Sequence, residues 1–354
     1  MAHSGERSWG VYVTDVVTLK DVAAAAGVHV STASRALNPE TRSVVNVNTA
    51  GRVLEVAERL GYRPHPLARG LRTNRTLTVG MVVPDLMNPL FPPIYAGADA
   101  VLGDLGYSVL VSSDDDDSAK ARSVIVALLE RRVDGLILAS AHCDFVIPTR
   151  QRKVPTVLVN RSSASNEFPA IVGDDHAGIA LVVRHLISLG HTAIAHVAGS
   201  QDLSTGLARR QAFVESMNRD GLDANPELTV EAGAFRTEEG RAACDHLLDS
   251  GEDFTAIVAA NDLIALGCYD ALAHRGISVP GDVSVTGYND MTFVDRVAPP
   301  LTTVAVPYQE MGGAAARQLL DLLAGEVGVG PPYPPMRLAP ELVVRESTAP
   351  PPAS

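Results

Sequence analysis

Features that would point to several other protein classes are missing from this chain of 354 residues. It has no run of 18 uncharged apolar residues, so no membrane-spanning helix is expected. Its first ten residues, MAHSGERSWG, lack the apolar core of a secretion signal. Its three cysteines, Cys143, Cys244 and Cys268, have no metal-binding or redox spacing. We expect them to be small buried side chains in a reducing cytoplasm.

Recognisable catalytic motifs are also missing. The ten histidines are scattered, and no Ser-His-Asp set, HExxH sequence or glycine-rich phosphate loop accompanies them. The short HCD sequence at 142–144 has no supporting residues around it. We therefore expect no enzyme, no catalytic residue, no metal site and no cofactor.

Charge is distributed unevenly along the chain. The net charge of −12 argues at first sight against nucleic acid as a partner. Residues 18–76, however, hold nine basic and four acidic side chains, a net charge of +5, which leaves −17 for the rest. A basic head on an acidic body is drawn to phosphate through the head alone, so this asymmetry favours DNA binding by the N-terminal segment.

Residues 17–38 contain two short helical patterns joined at an Ala-Gly-Val corner. The first has the apolar spacing of a half-buried helix and is expected to end at Gly27, where a left-handed backbone suits glycine. The second is expected to bury Ala33, Ala36 and Leu37. This pattern predicts a helix-turn-helix for the DNA major groove, and the alternative is an ordinary helical hairpin. The polar side of the second helix carries Ser31, Ser34, Arg35 and Asn38.

A third helix and a hinge are predicted next. Asn48 is the expected N-cap of the helix, and Gly61 is its expected stop. The segment 67–72 follows two prolines and is too short to be a stable helix alone in water. We expect it to form a helix on DNA, with Leu71 inserted between base steps of the minor groove.

These elements together resemble the LacI/GalR family of bacterial transcription regulators, over about 17–345. Helix-turn-helix, third helix and a PxxxARxL hinge occur in the family's order and spacing. The resemblance implies that DNA is contacted by Thr18, His29, Val30, Ser31, Thr32, Ser34, Arg35, Asn38, Ala68, Leu71 and Arg72.

From position 78 onward, short apolar runs alternate with amphipathic stretches. Continuous apolar runs predict strands buried on both faces, and their alternation with helices predicts parallel sheets. The runs are too many for one compact sheet, so we expect two α/β lobes. The resemblance implies a periplasmic-binding-protein-like body of type I, with chain crossings between lobes near Asn160, Val304 and Leu338.

The predicted organisation has five parts, of which the head is all-α and the body is α/β. The first lobe of the body is placed at about 77–159 and 305–337, and the second at about 160–304 and 338–345. The parts are an N-terminal extension (1–16), the helix-turn-helix head (17–62), a hinge helix and linker (63–76), the effector-binding and dimerisation body (77–345) and a disordered tail (346–354).

Ligands of such sheets bind beyond the carboxyl ends of the strands. The residues at those positions are mostly Asp, Asn, Ser and Arg, which suit a neutral polyol whose hydroxyls donate and accept hydrogen bonds. The segments PDLMNPLF, LARRQAF, AGAF, VAAND and GYND resemble family motifs. Strand ends and resemblance together give the expected effector-binding residues Asp85, Asn88, Phe91, Asn160, Arg209, Phe235, Asn261 and Asn289.

Plainer roles stay open for several of these residues. The alternatives are helix capping by Asp85, Asn261 and Asn289, a core position for Phe235 and a surface ion pair for Arg209. Among them, Arg209 is the favoured anchor, because its fixed fork of donors can hold two ligand oxygens.

The chain also departs from the family pattern. His29 replaces the usual Ser and is expected to cap the second helix poorly. Val30 and Ser31 discriminate weakly between bases, so the operator sequence cannot be inferred by analogy. Gly70 weakens the hinge helix. Asn289 replaces a common Asp, so the family's hydroxyl pattern should not be assumed.

The favoured function is that of a cytoplasmic transcription regulator, a repressor, controlled by a small molecule bound between the lobes. The C-terminal tail has no heptads, so we expect a homodimer that reads near-palindromic double-stranded operator DNA. A sugar is the favoured effector, and a nucleobase or nucleoside held by Phe91 and Phe235 is the alternative. A solute-binding protein is a less favoured reading, and induction versus corepression stays open.

Overall fold

A computed structural model describes residues 17–38, 41–62, 75–145, 154–325 and 332–352. The chain divides into two compact units, Met1–Thr76 and Leu77–Ser354. The predicted extension 1–16 and the predicted hinge residues Ala68, Leu71 and Arg72 lie outside the described residues. Within the described ranges, no helix combines the length and apolar character that crossing a membrane requires.

The N-terminal unit contains the predicted helix-turn-helix and third helix. Thr18 begins the first helix with a capping box, in which its hydroxyl accepts from the Asp21 N–H and the Asp21 carboxylate accepts from the Thr18 N–H. Gly27 follows that helix with φ of +65°, the left-handed conformation that favours glycine. The helices are α1 (Leu19–Ala25), α2 (Val30–Leu37) and α3 (Val47–Arg59), with a short 3-10 turn at Arg42–Val44.

The start of α3 differs from the prediction. Its N-cap is Asn46, whose Oδ1 accepts a hydrogen bond from the Asn48 backbone N–H at 3.0 Å, so the predicted cap Asn48 already lies inside the helix. The buried face of α3 includes Val56, while Leu54, whose spacing also fits the apolar stripe, is only half-buried. Positions 54 and 56 flank the apolar stripe of α3 on opposite sides. A small rotation of the helix about its axis decides which of the two is buried, and spacing alone does not predict that rotation.

The first lobe of the body is a six-stranded parallel sheet covered by helices. Its strands are β1 (Thr78–Val83), β2 (Ser108–Ser113), β3 (Gly135–Leu138), β4 (Thr156–Val159), β5 (Ala170–Gly173) and β11 (Met336–Leu338). Their order across the sheet is β11-β5-β4-β3-β1-β2. Its helices are α4 (Phe91–Gly103), α5 (Ser118–Glu130) and α10 (Tyr308–Ala324).

Helices α4 and α10 cross at very short range through glycines. A Cβ atom on Gly97 would lie 1.9 Å from the Gln309 carbonyl oxygen, and one on Gly312 would lie 1.9 Å from that of Ile94. Only glycine allows this approach. The contact fixes α10, and with it Tyr308 at its first turn, against the first lobe.

The second lobe is a four-stranded parallel sheet with the order β7-β6-β8-β9. A separate antiparallel ribbon of two strands, β10 (Thr303–Ala305) and β12 (Glu341–Val343), lies where the second and third crossings were predicted. The second sheet contains β6 (Ile194–Ala198), β7 (Thr229–Glu231), β8 (Ala256–Ala259) and β9 (Ser284–Thr286), with α6 (Asp175–Ser188), α7 (Ser204–Arg219), α8 (Thr237–Asp249) and α9 (Asp262–His274).

The first crossing was predicted near Asn160, and this placement is wrong. Strand β5 pairs in parallel with β4 through Leu158 and Ala170, so the chain leaves the first sheet only after Gly173. The prediction missed β5 because its apolar run, 170–172, has only three residues, which is too short a pattern to be recognised. It also missed α10, β7, β10, β11 and β12.

The C-terminal tail was predicted to be disordered from 346, and this is also wrong for its described part. Ser347 is fully buried, accepts a hydrogen bond from the Thr302 N–H at 2.8 Å and donates one to the Val285 carbonyl at 2.6 Å. The Ala349 carbonyl lies 2.8 Å from Nε2 of His191. A tail without apolar periodicity is thus held by hydrogen bonds, which hydrophobic patterning does not reveal.

Candidate functional site

The predicted DNA-contacting residues of the head lie on and around α2. Ser31 and Arg35 are exposed, whereas Val30 and Ser34 are half-buried. The core beneath them contains Ala33 and Ala36 of α2, packed with Val22 and Val53. Leu37, predicted to be buried, is half-buried at the edge of this core. Thr18, Thr32 and Asn38 are likewise among the described residues, and Thr18 acts as the N-cap of α1.

His29 caps α2, contrary to the expectation that it would cap poorly. Its Nδ1 accepts a hydrogen bond from the Ser31 backbone N–H at 3.3 Å and lies 2.8 Å from the Ser31 hydroxyl. An accepting Nδ1 requires the neutral tautomer that carries its proton on Nε2. His29 is exposed, so this Nε2–H can serve as a donor to a phosphate oxygen.

The carboxyl ends of the two sheets border a cleft. Seven of the eight predicted effector-binding residues line it, coming from both lobes. Leu90, Arg161 and Thr205 line it as well, although they were not predicted to bind effector. The predicted residues in this cleft are Asn88, Phe91, Asn160, Arg209, Phe235, Asn261 and Asn289.

Arg209 on α7 is held in a fixed position inside the cleft. Its Nε donates to Oδ1 of Asp175 at 2.8 Å, and its Nη1 donates to the Ala260 carbonyl at 2.7 Å. Its guanidinium also lies over the ring of Tyr288. Burial lowers the pKa of Arg209, but Asp175, Tyr288 and Tyr308 together raise it by more, so the arginine stays charged. The ion pair is therefore buried, not the surface pair considered from the sequence.

Asparagine amides form much of the polar wall. Asn261 caps α9, with its Oδ1 accepting from the Ile264 N–H at 2.9 Å, and still lines the cleft. Oδ1 of Asn289 accepts from the Tyr308 hydroxyl at 2.6 Å. Asn160 and Asn289 both have positive φ, a conformation that Asn tolerates better than most residues. Capping and cleft-lining roles thus coexist in Asn261, whereas the Asn289 amide binds Tyr308 and caps no described helix.

Arg161 is a second buried cation in the cleft wall, and its charge is balanced in the same way. Its Nη1 and Nη2 donate to the two carboxylate oxygens of Asp116 at 2.6 and 3.2 Å. This two-point contact fixes the guanidinium plane.

Asp85, the eighth predicted residue, lines an adjoining compartment and not the cleft itself. Its Oδ1 accepts from the Met87 N–H at 2.8 Å within the turn after β1, whereas Leu90 is the N-cap of α4, so Asp85 does not have the helix-capping role that the sequence left open. Phe235 lines both compartments, and its ring centroid lies 6.0 Å from the guanidinium carbon of Arg209.

A buried carboxylate stands next to the cleft, where the chain passes between lobes. Asp262, the first residue of α9, accepts from the Met291 N–H at 2.8 Å and from the Thr303 hydroxyl at 2.5 Å. Burial raises the pKa of Asp262 to about 7, against the lowering effect of these hydrogen bonds.

Comparison with known proteins places this geometry in a family. Residues 18–65 match the family described as "Bacterial regulatory proteins, lacI family". Residues 183–348 match the family described as "Periplasmic binding protein-like domain". The HTH-type transcriptional regulator MalR of Streptomyces coelicolor is 36% identical over 94% of this chain and 96% of its own length. The chain belongs to the LacI family of bacterial regulatory proteins.

Solved structures of other LacI-family proteins share the same architecture. A Lac repressor dimer bound to operator and the anti-inducer ONPF is 29% identical, with a TM-score of 0.82 over 94% of this chain and 99% of that one. A complex of the transcriptional regulator CelR with cellobiose is 31% identical, with a TM-score of 0.71 over the same shares. These proteins, like MalR, are named as regulators and not as enzymes. The predicted family, the helix-turn-helix head and the type I α/β body are thus confirmed.

Several residues of this LacI-family site were missed by the sequence analysis. Arg161 directly follows Asn160 at the end of β4, where the strand-end rule points to both residues, but only Asn160 was selected as effector-binding. Asp175 and Tyr288, which fix Arg209, gave no signal of their own, because partners of a buried arginine come from distant parts of the chain. Tyr308 was missed together with its helix α10.

Proposed function

We propose that this LacI-family regulator is a homodimeric repressor that acts in the cytoplasm and is controlled by a neutral sugar. The sugar binds in the cleft between the two lobes, and α2 of each protomer reads one half of a near-palindromic operator. A twofold protein requires a twofold site, so each half-site receives one head. The segment 63–76 links head and body as the hinge.

The charge balance of the cleft carries the choice of a sugar. Both cleft arginines already have a carboxylate partner, Asp175 for Arg209 and Asp116 for Arg161. The cleft therefore offers little net attraction to a phosphate group or another anion. Amides that both donate and accept hydrogen bonds complement neutral hydroxyl groups instead. These amides belong to Asn88, Asn160, Asn261 and Asn289.

A nucleobase or nucleoside is the second candidate. Phe91 and Phe235 both line the cleft, and an aromatic side chain can stack on a base. The cellobiose in the related CelR complex supports the sugar over the base.

Two hydrogen bonds join the lobes of the body near the cleft and support control by a ligand that changes the lobe arrangement. The Cys143 N–H donates to the Asp202 carbonyl at 3.1 Å, and the Ser162 N–H donates to the Ser204 hydroxyl at 2.9 Å. Both bonds connect the end of a first-lobe strand to the start of α7. A ligand that binds one lobe arrangement more tightly shifts the population toward it, and this changes the affinity for operator.

Thermal unfolding of the full-length protein against sugars, sugar phosphates, nucleobases and nucleosides tests the effector class. A ligand specific for the folded state stabilises it by about 2.7 kcal/mol at a hundredfold excess over its Kd. We expect a sugar to raise the Tm, and Arg209→Ala to abolish the shift. Arg210→Ala is the matched control, because Arg210 is the exposed neighbour outside the cleft. A shift only with sugar phosphates or nucleosides would contradict the proposal.

DNA binding is tested with a sequence that the full-length protein selects from a random duplex pool. We expect the selected sequence to be near-palindromic, and scrambling one half to weaken binding strongly. Equal affinity for intact and half-scrambled duplex would contradict a twofold reader. Adding the identified sugar then distinguishes an inducer, which weakens this binding, from a corepressor, which strengthens it.

A further inference from the structure

The effector cleft continues into a second compartment. We call the first compartment the inner one and the second the outer one. The two compartments are contiguous, because four residues line both of them: Asn88, Phe91, Arg161 and Phe235. The outer compartment is completed by Pro84, Asp85, Asp116, Ala234 and Arg236.

Arg161 at the junction has a donor that protein atoms do not use. The residue is only 4% exposed, and both terminal nitrogens bind the Asp116 carboxylate. Among the described residues, its Nε–H has no hydrogen-bond partner. A buried guanidinium N–H without an acceptor is costly. A ligand oxygen at the junction of the two compartments would relieve that cost.

The outer compartment is polar but carries charges of both signs. Asp116 is neutralised by Arg161, and Asp85 stands in the same wall as Arg236. Neither sign dominates, so this compartment, like the inner one, suits a neutral molecule rich in hydroxyl groups. Phe91 and Phe235 provide apolar surface at the junction, which complements the C–H face of a sugar ring.

We propose that the effector is an oligosaccharide of at least two rings, with one ring in each compartment and Arg161 Nε–H bound to an oxygen near their linkage. This inference rests on the proposed function, in which the effector is a sugar. A single ring confined to the inner compartment would leave Asp85, Asp116 and Arg236 without ligand contact. The outer compartment then selects for chain length, while Arg209 and the inner amides anchor the first ring.

Isothermal titration of the full-length protein with matched sugars tests this. The probes are glucose with cellobiose and maltose, and galactose with lactose and melibiose. We expect one disaccharide to bind at least about tenfold more tightly than its monosaccharides, because it adds hydrogen bonds to a charged donor. Affinities for a disaccharide and monosaccharide that agree within about twofold would overturn the proposal and leave the sugar effector intact.

Two variants locate the effect in the outer compartment. Arg236→Ala is expected to weaken disaccharide binding about tenfold while changing monosaccharide binding less than about twofold. Arg161→Lys keeps a positive charge near Asp116 but lacks the Nε–H donor, so it is expected to lose about tenfold in disaccharide affinity. Arg241→Ala is the control, an exposed arginine on α8 outside both compartments.

The outcomes separate this inference from the function on which it rests. Unchanged disaccharide affinity in both Arg236→Ala and Arg161→Lys would remove the outer compartment and the Arg161 donor from recognition, even if sugars bind. Binding of none of these sugars would overturn the sugar effector as well only if the thermal panel also shows no Tm shift with any sugar.

Discussion

The guanidinium carbon of Arg209 lies 3.8 Å from the centre of the Tyr288 ring, while its Nε binds Asp175. Stacking fixes the plane of the guanidinium, and the carboxylate fixes its rotation within that plane. Arg209 is therefore oriented by the protein itself. A donor that is already oriented loses little conformational entropy when a ligand binds.

Breaking the buried ion pair of Arg209 and Asp175 is expected to cost far more stability than breaking an exposed ion pair. Asp175→Ala leaves Arg209 buried without its carboxylate, and we expect a loss of about 3–5 kcal/mol in the free energy of unfolding. The exposed pair of Arg275 and Asp249 is the control, and Asp249→Ala is expected to cost less than about 1 kcal/mol. Urea unfolding measures both.

A double variant separates stability from recognition. Asp175→Leu with Arg209→Met replaces the buried ion pair by apolar groups, so we expect it to recover most of the stability lost in Asp175→Ala. We also expect it to lose effector binding, because the anchoring fork is gone. Effector binding unchanged in the double variant would remove Arg209 from the binding site.

Asp262 is expected to make stability depend on pH. Its pKa is about 7 in the folded protein and near 3.8 in the unfolded chain. Between about pH 4 and 7 the folded state therefore holds a proton that the unfolded chain has lost. As the pH rises through this window, the free energy of unfolding falls by at most about 1.4 kcal/mol per pH unit. The contribution is fully present below about pH 4 and lost above about pH 7.

Comparison with Asp262→Asn isolates this contribution. Asparagine cannot titrate, and its amide can accept one hydrogen bond and donate another to the Thr303 hydroxyl. Subtracting the stability of Asp262→Asn from that of the natural protein, measured by urea unfolding at pH 4 to 8, should leave a difference that falls toward pH 7. A difference that stays flat over this range would show that Asp262 titrates normally.

Ser347 is expected to hold the C-terminal tail to the second sheet. Ser347→Ala leaves the Thr302 N–H and the Val285 carbonyl buried without this hydroxyl, so we expect a loss of about 1–3 kcal/mol. Ser188→Ala, at an exposed hydroxyl on α6, is the control and should change stability by less than about 0.5 kcal/mol. If Ser347→Ala and Ser188→Ala had equal effects in urea unfolding, the tail would be loosely held, as predicted from the sequence.

The sequence predicted the elements whose periodicity is strong. The apolar runs of β1 and β8 and the amphipathic helices between them fixed the fold class, because continuous burial and helical spacing are local properties. Strand β5 has an apolar run of only three residues, 170–172, and its place in the first sheet depends on pairing with β4. Such pairing is not local, so the first crossing was misplaced.

The site was predictable where residues follow strands and unpredictable where they act through partners. Asn261 and Asn289 come directly after buried strands, and the cleft contains both. Tyr288 and Asp175 meet Arg209 only in the folded chain, from positions 79 and 34 residues away. His29 shows a different limit, because average capping preferences gave little weight to a ring nitrogen that reaches the Ser31 N–H.

Arg35 is expected to supply sequence discrimination in the major groove. It is exposed on α2, and an arginine bound to a guanine edge contributes about 1–3 kcal/mol of discrimination. Arg35→Ala should therefore weaken binding to the selected palindrome about tenfold or more, with a smaller effect on scrambled duplex. Arg59→Ala removes the same charge from the exposed end of α3 and should weaken both duplexes equally. Mobility shifts at one fixed salt concentration compare the two variants. If Arg35→Ala weakened both duplexes by the same factor, Arg35 would be a phosphate contact and another residue of α2 would read the bases.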